Sequence, residues 1–588
     1  MPRRIHQNSG RWYARLPPSK EITKETRISA PWPAVEKISR QEVWVFLCVS
    51  TVWVMLLYWR ILSAPFVYDD LAQIVHNPNL SLWHNFAQRF LFAPVSFTND
   101  LGREGGATYR PLYWFTFFVD AKLWGLRATG FHATNLVLHL ANGVLGFLLL
   151  RRLHVALPVA AGACLVWLGL PINSEVVAWV SGRSYSLCGV FVLLSLLSAV
   201  AYWRTGAKAY LAGCFTASLA ALLSNELGVL VLPLTGLLFS RQQRSTGWRK
   251  IYPVLLGWSA AAGTYFGVKL WVGAHAIGRV SFKGNFGSEF WRYVDWIALP
   301  VRMSVERSTS VPAAHFGWSS LAAMIGLLAL AVACFLLRGR LPQLSGGVTW
   351  MLLALLPFCG LVTIYQGMAE RFVYFASAGF AFAVVVLAFQ RHKLVRGLLL
   401  GCVAVWVVWG AWRLHERVLD WCDPVMLYAH SLDANPTSPS LHFNLAFSLR
   451  QEGDFQGARD AYLDTIELQR DYPHALTSLG ELYLQAGQLD NAEKQFVRSI
   501  ALFPDDSSTY TNLGVIFSQR QLPRDAARMF SKAIEKNSTS PTPYYNLAVI
   551  FQQAGHGDMA LPLYRKVLEL EPGDPDTLAN MKKIQGVR

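Results

Sequence analysis

The stretch FNLAFSLRQEGDFQGARDAYLDTI, residues 443–466, recurs along the C-terminal third of the chain with a fixed period of 34 residues. Leu445, Leu479, Leu513 and Leu547 hold one register; Ala446, Gly480, Gly514 and Ala548 hold the next. Further on, Ala458, Ala492, Ala526 and Ala560 line up, as do Tyr462, Phe496, Phe530 and Tyr564. Small residues let two helices approach closely, and the aromatic ring fills the gap left between them. The period therefore specifies a stack of paired helices.

This is the tetratricopeptide-repeat pattern, with full repeats at 439–472, 473–506, 507–540 and 541–574 and a closing helix over 575–588. Tyr428 stands one period before Tyr462, so 415–438 reads as a half-repeat connector that joins the array directly to what precedes it. The sixth position of successive repeats carries Asn444, Ser478, Asn512 and Asn546, and the closing helix continues with Asn580. An amide both donates and accepts hydrogen bonds, so such a ladder suits the backbone of an extended acceptor peptide.

Upstream of the array the character changes. The 588-residue chain is 53% apolar and 15% charged, with positive mean hydropathy, which points to a multi-pass membrane protein. Eleven apolar segments are predicted as spans: 43–62, 131–150, 155–170, 184–202, 209–223, 227–240, 251–271, 319–337, 346–364, 373–390 and 397–412. The predicted fold class is thus all-α: a transmembrane domain over 43–414 followed by an α-solenoid. Seven of the eight cysteines lie in apolar stretches, and neither a disulfide framework nor a metal-ligand spacing is visible.

The net charge of +16 would suit nucleic acid, but its distribution argues for topology instead. Residues 1–42 form a basic tail without a small-residue cleavage site before the first span. With that tail in the cytoplasm, the short inner connections hold thirteen Lys or Arg, and the short outer ones hold two, Arg183 and Arg371. Two long connections, 63–130 and 272–318, then lie outside, together with the repeat array. Within the first, "YRPLYWFTFFVDAKLW" (109–124) is predicted as an interfacial or re-entrant helix. Asp69, Asp70, Glu175, Glu226, Glu370 and Arg371 all fall near this outer face. Ionisable groups there are affordable as span ends, and a functional role needs further support.

That support comes from a resemblance over most of the chain. "PFVYDDLAQIVHNPNL" (65–80), "YRPLYWFTFFVDAKLWGLRATGFHATNLVLHLANGVLGFLLLRRL" (109–153) and "MAERFVY" (368–374), followed by tetratricopeptide repeats, resemble the TMTC family. Those proteins belong to the GT-C glycosyltransferase class and are related to protein O-mannosyltransferases. The resemblance implies an inverting enzyme that moves a sugar, mannose by family default, from a polyprenyl- or dolichyl-phosphate carrier to Ser or Thr of a protein. It makes Asp69 and Asp70 the catalytic pair, with Asp69 as general base. A Ser hydroxyl needs a base as it attacks, and an adjacent carboxylate raises the basicity of its neighbour. The departing lipid phosphate calls for a fixed cation, for which Arg371 is the first choice, Arg110 the second and Arg183 the third. Glu175 and Glu226 complete the expected donor site.

The sequence departs from the family at two places. Leu170 and Asn173 stand where histidines are usual, and Asn225 stands where a Lys often precedes the acid. The missing histidines argue against a metal at that loop, so no metal is expected. Two alternatives remain at this point: the same donor chemistry on a glycan or lipid acceptor, and a non-catalytic membrane scaffold that displays the repeats to a partner protein. The compartment is periplasmic in a bacterium, which the short array favours, and luminal in the endoplasmic reticulum otherwise.

Overall fold

The computed structural model describes residues 38–92, 95–98, 104–246, 248–273, 288–306, 318–359, 368–389 and 393–586. The basic tail as far as residue 37 and most of the second long connection, 272–318, lie outside the described residues. Among the described residues the regular structure is helical except for one two-stranded antiparallel ribbon, β1 (Val95–Thr98) with β2 (Glu104–Thr108), which the sequence pattern does not predict.

The membrane part is built from α1 (Arg40–Tyr58), α2 (Trp83–Phe86), α3 (Pro111–Trp124), α4 (Ala128–Arg152), α5 (Leu157–Leu168), α6 (Ser174–Ala178), α7 (Arg183–Thr205), α8 (Ala209–Ser224), α9 (Val231–Thr246) and α10 (Tyr252–Trp271). It continues through α11 (Ser288–Ala298), α12 (Trp318–Leu337), α13 (Pro342–Leu355), α14 (Tyr374–Ala388) and α15 (Lys393–Cys422). Each of the eleven expected apolar segments overlaps one of these helices, with 360–364 of the ninth and residue 390 of the tenth outside the described residues. Length and composition, however, qualify only six described helices as spans.

The shortfall has physical causes. A helix of 16 residues such as α8 is about 24 Å long, against roughly 30 Å of hydrocarbon. The third expected span, 155–170, ends where α5 meets the segment Pro171–Ala178 at a bend of 56°, Pro171 lacking the N–H that would continue the ladder; the bent pair would make a seventh span if counted as one. Beyond the bend, residues 171–183 form no solvated outer loop. They fold as α6 between two short 3₁₀ turns and are buried throughout. The core collects around α7, α8, α13 and α14. Between α13 and α14, Gly347 and Gly379 face each other so closely that a Cβ on Gly347 would stand 2.8 Å from the Gly379 carbonyl oxygen.

α15 hands the chain to α16 (Pro424–Ala434) through Asp423 alone. The Asp423 side chain accepts hydrogen bonds from Val425 N and Met426 N and so starts the new helix without a linker. Paired helices then follow: α17 (Pro439–Glu452) with α18 (Phe455–Leu468), α19 (Pro473–Gln485) with α20 (Leu489–Leu502), α21 (Ser507–Gln519) with α22 (Pro523–Lys536), α23 (Pro541–Gln553) with α24 (Gly557–Leu570), and last α25 (Pro575–Gln585). The periodic residues are the core of this stack. Ala458, Ala492, Ala526 and Ala560 are buried, and so are Tyr462, Phe496, Phe530 and Tyr564. A Cβ at Gly480 would collide with the Phe496 ring at 2.6 Å, which is why the ring's partner is glycine.

Candidate functional site

The acid pair sits where the first long connection leaves the bundle. Asp70 is fully buried: its Oδ1 accepts from Ser181 N at 2.8 Å and Ser181 Oγ at 2.5 Å, and its Oδ2 accepts from Val67 N at 3.3 Å. Burial pushes the Asp70 carboxyl up to about 7; the three donors pull the other way, and the charge of Asp69 adds a little more upward. Asp69 is half-buried beside it. Tyr68, just before the pair, has φ +56°, a left-handed conformation that is rare for a bulky residue and keeps the turn tight. The two acids thus have different situations: Asp70 anchors the loop to the turn at Ser181, and Asp69 stands at its rim.

Arg110 closes on Glu226. Its Nε donates to Oε2 at 2.8 Å, the second nitrogen lies 2.7 Å from the same oxygen, and Lys269 Nζ approaches Oε1 at 3.7 Å. Two cations therefore face one carboxylate, which leaves one positive charge in excess. Arg110 and Lys269 are the chain neighbours of Tyr109, Pro111 and Val268, which with Leu91, Leu112, Phe115, Leu219, Leu223, Thr264 and Tyr265 line an open apolar pocket of about 390 Å³. Lys269 went unnoticed in the sequence because it lies inside an apolar run. The available signal was its place in the last turn of α10, at the end that the charge bias puts outside.

Arg371 does not pair with its neighbour Glu370. Its guanidinium forms an ion pair with Glu175, and its backbone N–H donates to Glu175 Oε2 at 2.7 Å. Both side chains are buried, so the pair is neutral overall. The Arg371 charge is thus matched by Glu175, whereas Arg110 and Lys269 together face the single carboxylate of Glu226. Glu370 turns the other way, accepting from Ser304 N at 2.6 Å and facing Arg417 at 3.8 Å.

Arg183 has a protein partner on each of its three guanidinium nitrogens. It is fully buried, lies 2.6 Å from Asp120 Oδ2, and donates to Asn135 Oδ1 at 2.7 Å, Phe131 O at 2.8 Å and Thr116 Oγ1 at 3.2 Å. Its face covers the Phe117 ring at 4.8 Å. A guanidinium so engaged clasps α3, α4 and α7 together. The position where a histidine was expected does similar work: Asn173 Nδ2 donates to Trp167 O at 2.7 Å, and its Oδ1 accepts from Ser377 Oγ at 3.0 Å, tying α5 to α14. Leu170 is buried in the core, and Asn225 caps the turn after α8.

These parts converge. Trp179 packs edge-on with Tyr68 at 5.7 Å and lies under the Arg371 guanidinium at 5.3 Å, so one ring joins the acid loop to the ion pair. The charges of Arg371, Arg110, Glu175 and Glu226 all act on the Tyr185 hydroxyl. Those of Asp70, Arg110 and Asp69 act on the Tyr113 hydroxyl, which donates to Gln73 Oε1 at 2.8 Å. In the array, Asn444, Asn512, Asn546 and Asn580 sit half-buried on α17, α21, α23 and α25. The ladder is already partly tied: Asn512 Nδ2 donates to Glu481 Oε1 at 3.2 Å, and Asn580 Nδ2 to the Tyr545 hydroxyl at 3.2 Å.

Fold and site together define a membrane protein with a charged, largely buried centre at one end of its bundle and a tetratricopeptide array attached beside it. Tetratricopeptide repeat family models match residues 443–507 and 544–578. Its curated relatives are protein O-mannosyl-transferases of the TMTC type. A Caenorhabditis elegans protein O-mannosyl-transferase is 23% identical over 449 residues, covering 71% of this chain and 61% of that protein. The human protein O-mannosyl-transferase TMTC4 is 31% identical over 210 residues, 32% of this chain and 27% of that protein. The chain thus spans about three-fifths of the first relative's length and about a quarter of the second's. Among solved structures, the crystal structure of MamA aligns over 24% of this chain and 86% of that one, at 23% identity and a TM-score of 0.23.

Proposed function

We propose that the chain is a membrane-embedded inverting glycosyltransferase that moves a sugar, mannose by the names of its relatives, from a polyprenyl-phosphate carrier to Ser or Thr hydroxyls of proteins. The observation that carries this reading is the pairing of a rim carboxylate, Asp69, with a separate cluster of net positive charge at the edge of an apolar cavity. The cavity suits the isoprenoid units nearest the phosphate. Arg110 and Lys269 suit the phosphate itself, held in register by Glu226.

In the reaction, the acceptor hydroxyl hydrogen-bonds Asp69 and loses its proton to it as the oxygen attacks the anomeric carbon. A new C–O bond forms on the face opposite the carrier, the anomeric C–O bond to phosphate breaks, and its electron pair stays on the phosphate oxygen. Arg110 and Lys269 stabilise the charge that grows there. Asp70, buried and held by Ser181 and Val67, fixes the loop so that Asp69 meets the hydroxyl. The Asn ladder of the array holds the extended acceptor. The charge bias of the short connections supports a site and array outside the cytoplasm.

The test is Asp69→Asn, followed by glycoproteomics of intact cells and by sugar transfer in lipid nanodiscs. Transfer falls by a factor of about 10² to 10⁴, the usual contribution of a general base, while the protein's membrane level is unchanged. An unchanged glycoproteome refutes the proposal and favours the scaffold.

A further inference from the structure

We infer that Glu370 is a positioning residue through which the seating of the repeat array holds Arg371 against Glu175. The inference rests on the reading of the Glu175–Arg371 pair as part of the transferase centre, and it concerns how that pair is kept in place.

Glu370 and Arg371 begin a single 3₁₀ turn after the extended residue Ala369, and their side chains leave it in opposite directions. Arg371 reaches Glu175 with both its side chain and its backbone N–H. Glu370 reaches the segment just after α11, where its Oε1 accepts from Ser304 N at 2.6 Å. The same short segment is the seat of α16. Ser304 Oγ lies 3.2 Å from Ser431 O, Val305 N donates to Ser431 Oγ at 3.3 Å, and Asn435 Nδ2 donates to Glu306 O at 3.3 Å. The Glu306 carboxylate accepts from Ser440 Oγ on α17, the first helix of the full repeats. Arg417, on the helix that runs into the array, faces Glu370 from the other side at 3.8 Å and Asp420 at 3.3 Å.

The centre of this path is dry, while Val305, Glu306 and Ser440 at its array end are half-buried. Ser304, Glu370 and Ser431 are wholly buried, and Arg417 and Asn435 nearly so. A buried polar group that loses its partner has no water to replace it, so the joints hold together or fail together. A shift of α16 is therefore passed to Ser304, from Ser304 to the Glu370 carboxylate, and from Glu370 one peptide unit along to Arg371. An acceptor bound along the array thus acts on the same rigid chain of contacts that orders the membrane-side ion pair. In this way occupancy of the repeats is felt at the site.

The test uses the full chain in nanodiscs and hydrogen exchange read by mass spectrometry over 299–306 and 368–374. S431A/N435A removes two joints on α16, away from the site; E370A cuts the link itself. Exchange at the Arg371 amide, protected by Glu175, is expected to rise about tenfold in both variants. In sugar transfer to a peptide too short to reach the array, kcat of S431A/N435A falls while KM changes by less than about twofold. A merely structural role would lower the melting temperature and leave Arg371 exchange in the folded fraction unmoved. Unchanged exchange over 368–374 in E370A, or in S431A/N435A once Val305 has lost its protection, overturns the inference. Exchange needs no sugar donor, so failure of the transferase reading is separately visible as absence of transfer by the unaltered chain.

Discussion

Arg183→Met discriminates between a clasp and a donor contact. Arg183 is fully buried, with its nitrogens on Asp120, Asn135, Phe131 and Thr116. Methionine fills most of the same volume but leaves the Asp120 carboxylate, itself nearly buried, without its cation. Breaking a buried ion pair from one side costs about 3–5 kcal/mol. At about 2.1 cal/mol/K of unfolding entropy per residue over roughly 370 residues of membrane domain, each kcal/mol is about 1.3 °C, and the melting temperature falls by about 4–7 °C. Asp120→Leu, which strands the arginine instead, falls by a similar amount. The double variant R183M/D120L removes both charges and recovers at least half of the loss; Asn135 Oδ1 and Phe131 O, still without a donor, account for the remainder. The assay is thermal unfolding of the purified full chain, followed by the fraction that remains monodisperse on size exclusion. If R183M melts with the unaltered chain while carrier affinity collapses, Arg183 touches the donor and the assignment made here is wrong.

Three further predictions follow from the same geometry. The Asp70 carboxyl titrates near 7 in the folded chain and near 3.9 when unfolded, so the folded state holds its proton more tightly; stability is greatest below about pH 4 and falls as pH rises to about 7, by at most about 1.4 kcal/mol per unit. Asp70→Asn flattens that slope in melts across pH 4–7, and an unchanged slope counts against the burial argument. Lys269→Met cancels the excess charge beside Glu226 and lowers kcat about tenfold or more, whereas Leu223→Trp fills the adjoining cavity and raises KM for the carrier instead; equal effects of the two on KM would separate neither role. Asn512→Ala with Asn546→Ala lowers transfer to unfolded protein acceptors about tenfold and spares short peptides, and equal transfer to proteins would remove the groove from the mechanism.

What the sequence made legible depended on period and on sign. The small and aromatic residues that the 34-residue register names all lie in the repeat core, because each repeat packs only on its neighbours and the contacts are local. Charge counting gathered Asp69, Glu175, Glu226 and Arg371 at one end, and the structure does bring their surroundings together through Trp179 and Tyr185. Partnership within that gathering was not legible. Arg371 is adjacent to Glu370 in sequence but binds Glu175, 196 positions away, because neighbours on a 3₁₀ turn point to different sides of it. Arg183 was nominated for lying in a short outer connection, yet its partner Asp120 was visible only as an interruption of an apolar helix.

The same comparison bears on the missing histidines. Where the family pattern has an imidazole, Asn173 uses both ends of its amide to join α5 to α14, so the position is structural and faces the packing of the bundle. Beside it Glu175 stays, and its partner is the arginine next to Glu370. The loop thus offers packing contacts at Asn173 and an ion-pair partner for Arg371 at Glu175. An ordered but neutral pair cannot by itself attract a phosphate. Under the proposed function the attraction falls to Arg110 and Lys269, whose two positive charges face the single carboxylate of Glu226. Restoring the imidazole with Asn173→His would break two buried hydrogen bonds, at about 1–3 kcal/mol for each group left unpaired, without adding charge near the carrier. Its expected outcome is a lower melting temperature with KM for the carrier unchanged, and a tighter KM in that variant would show that the loop still addresses the donor.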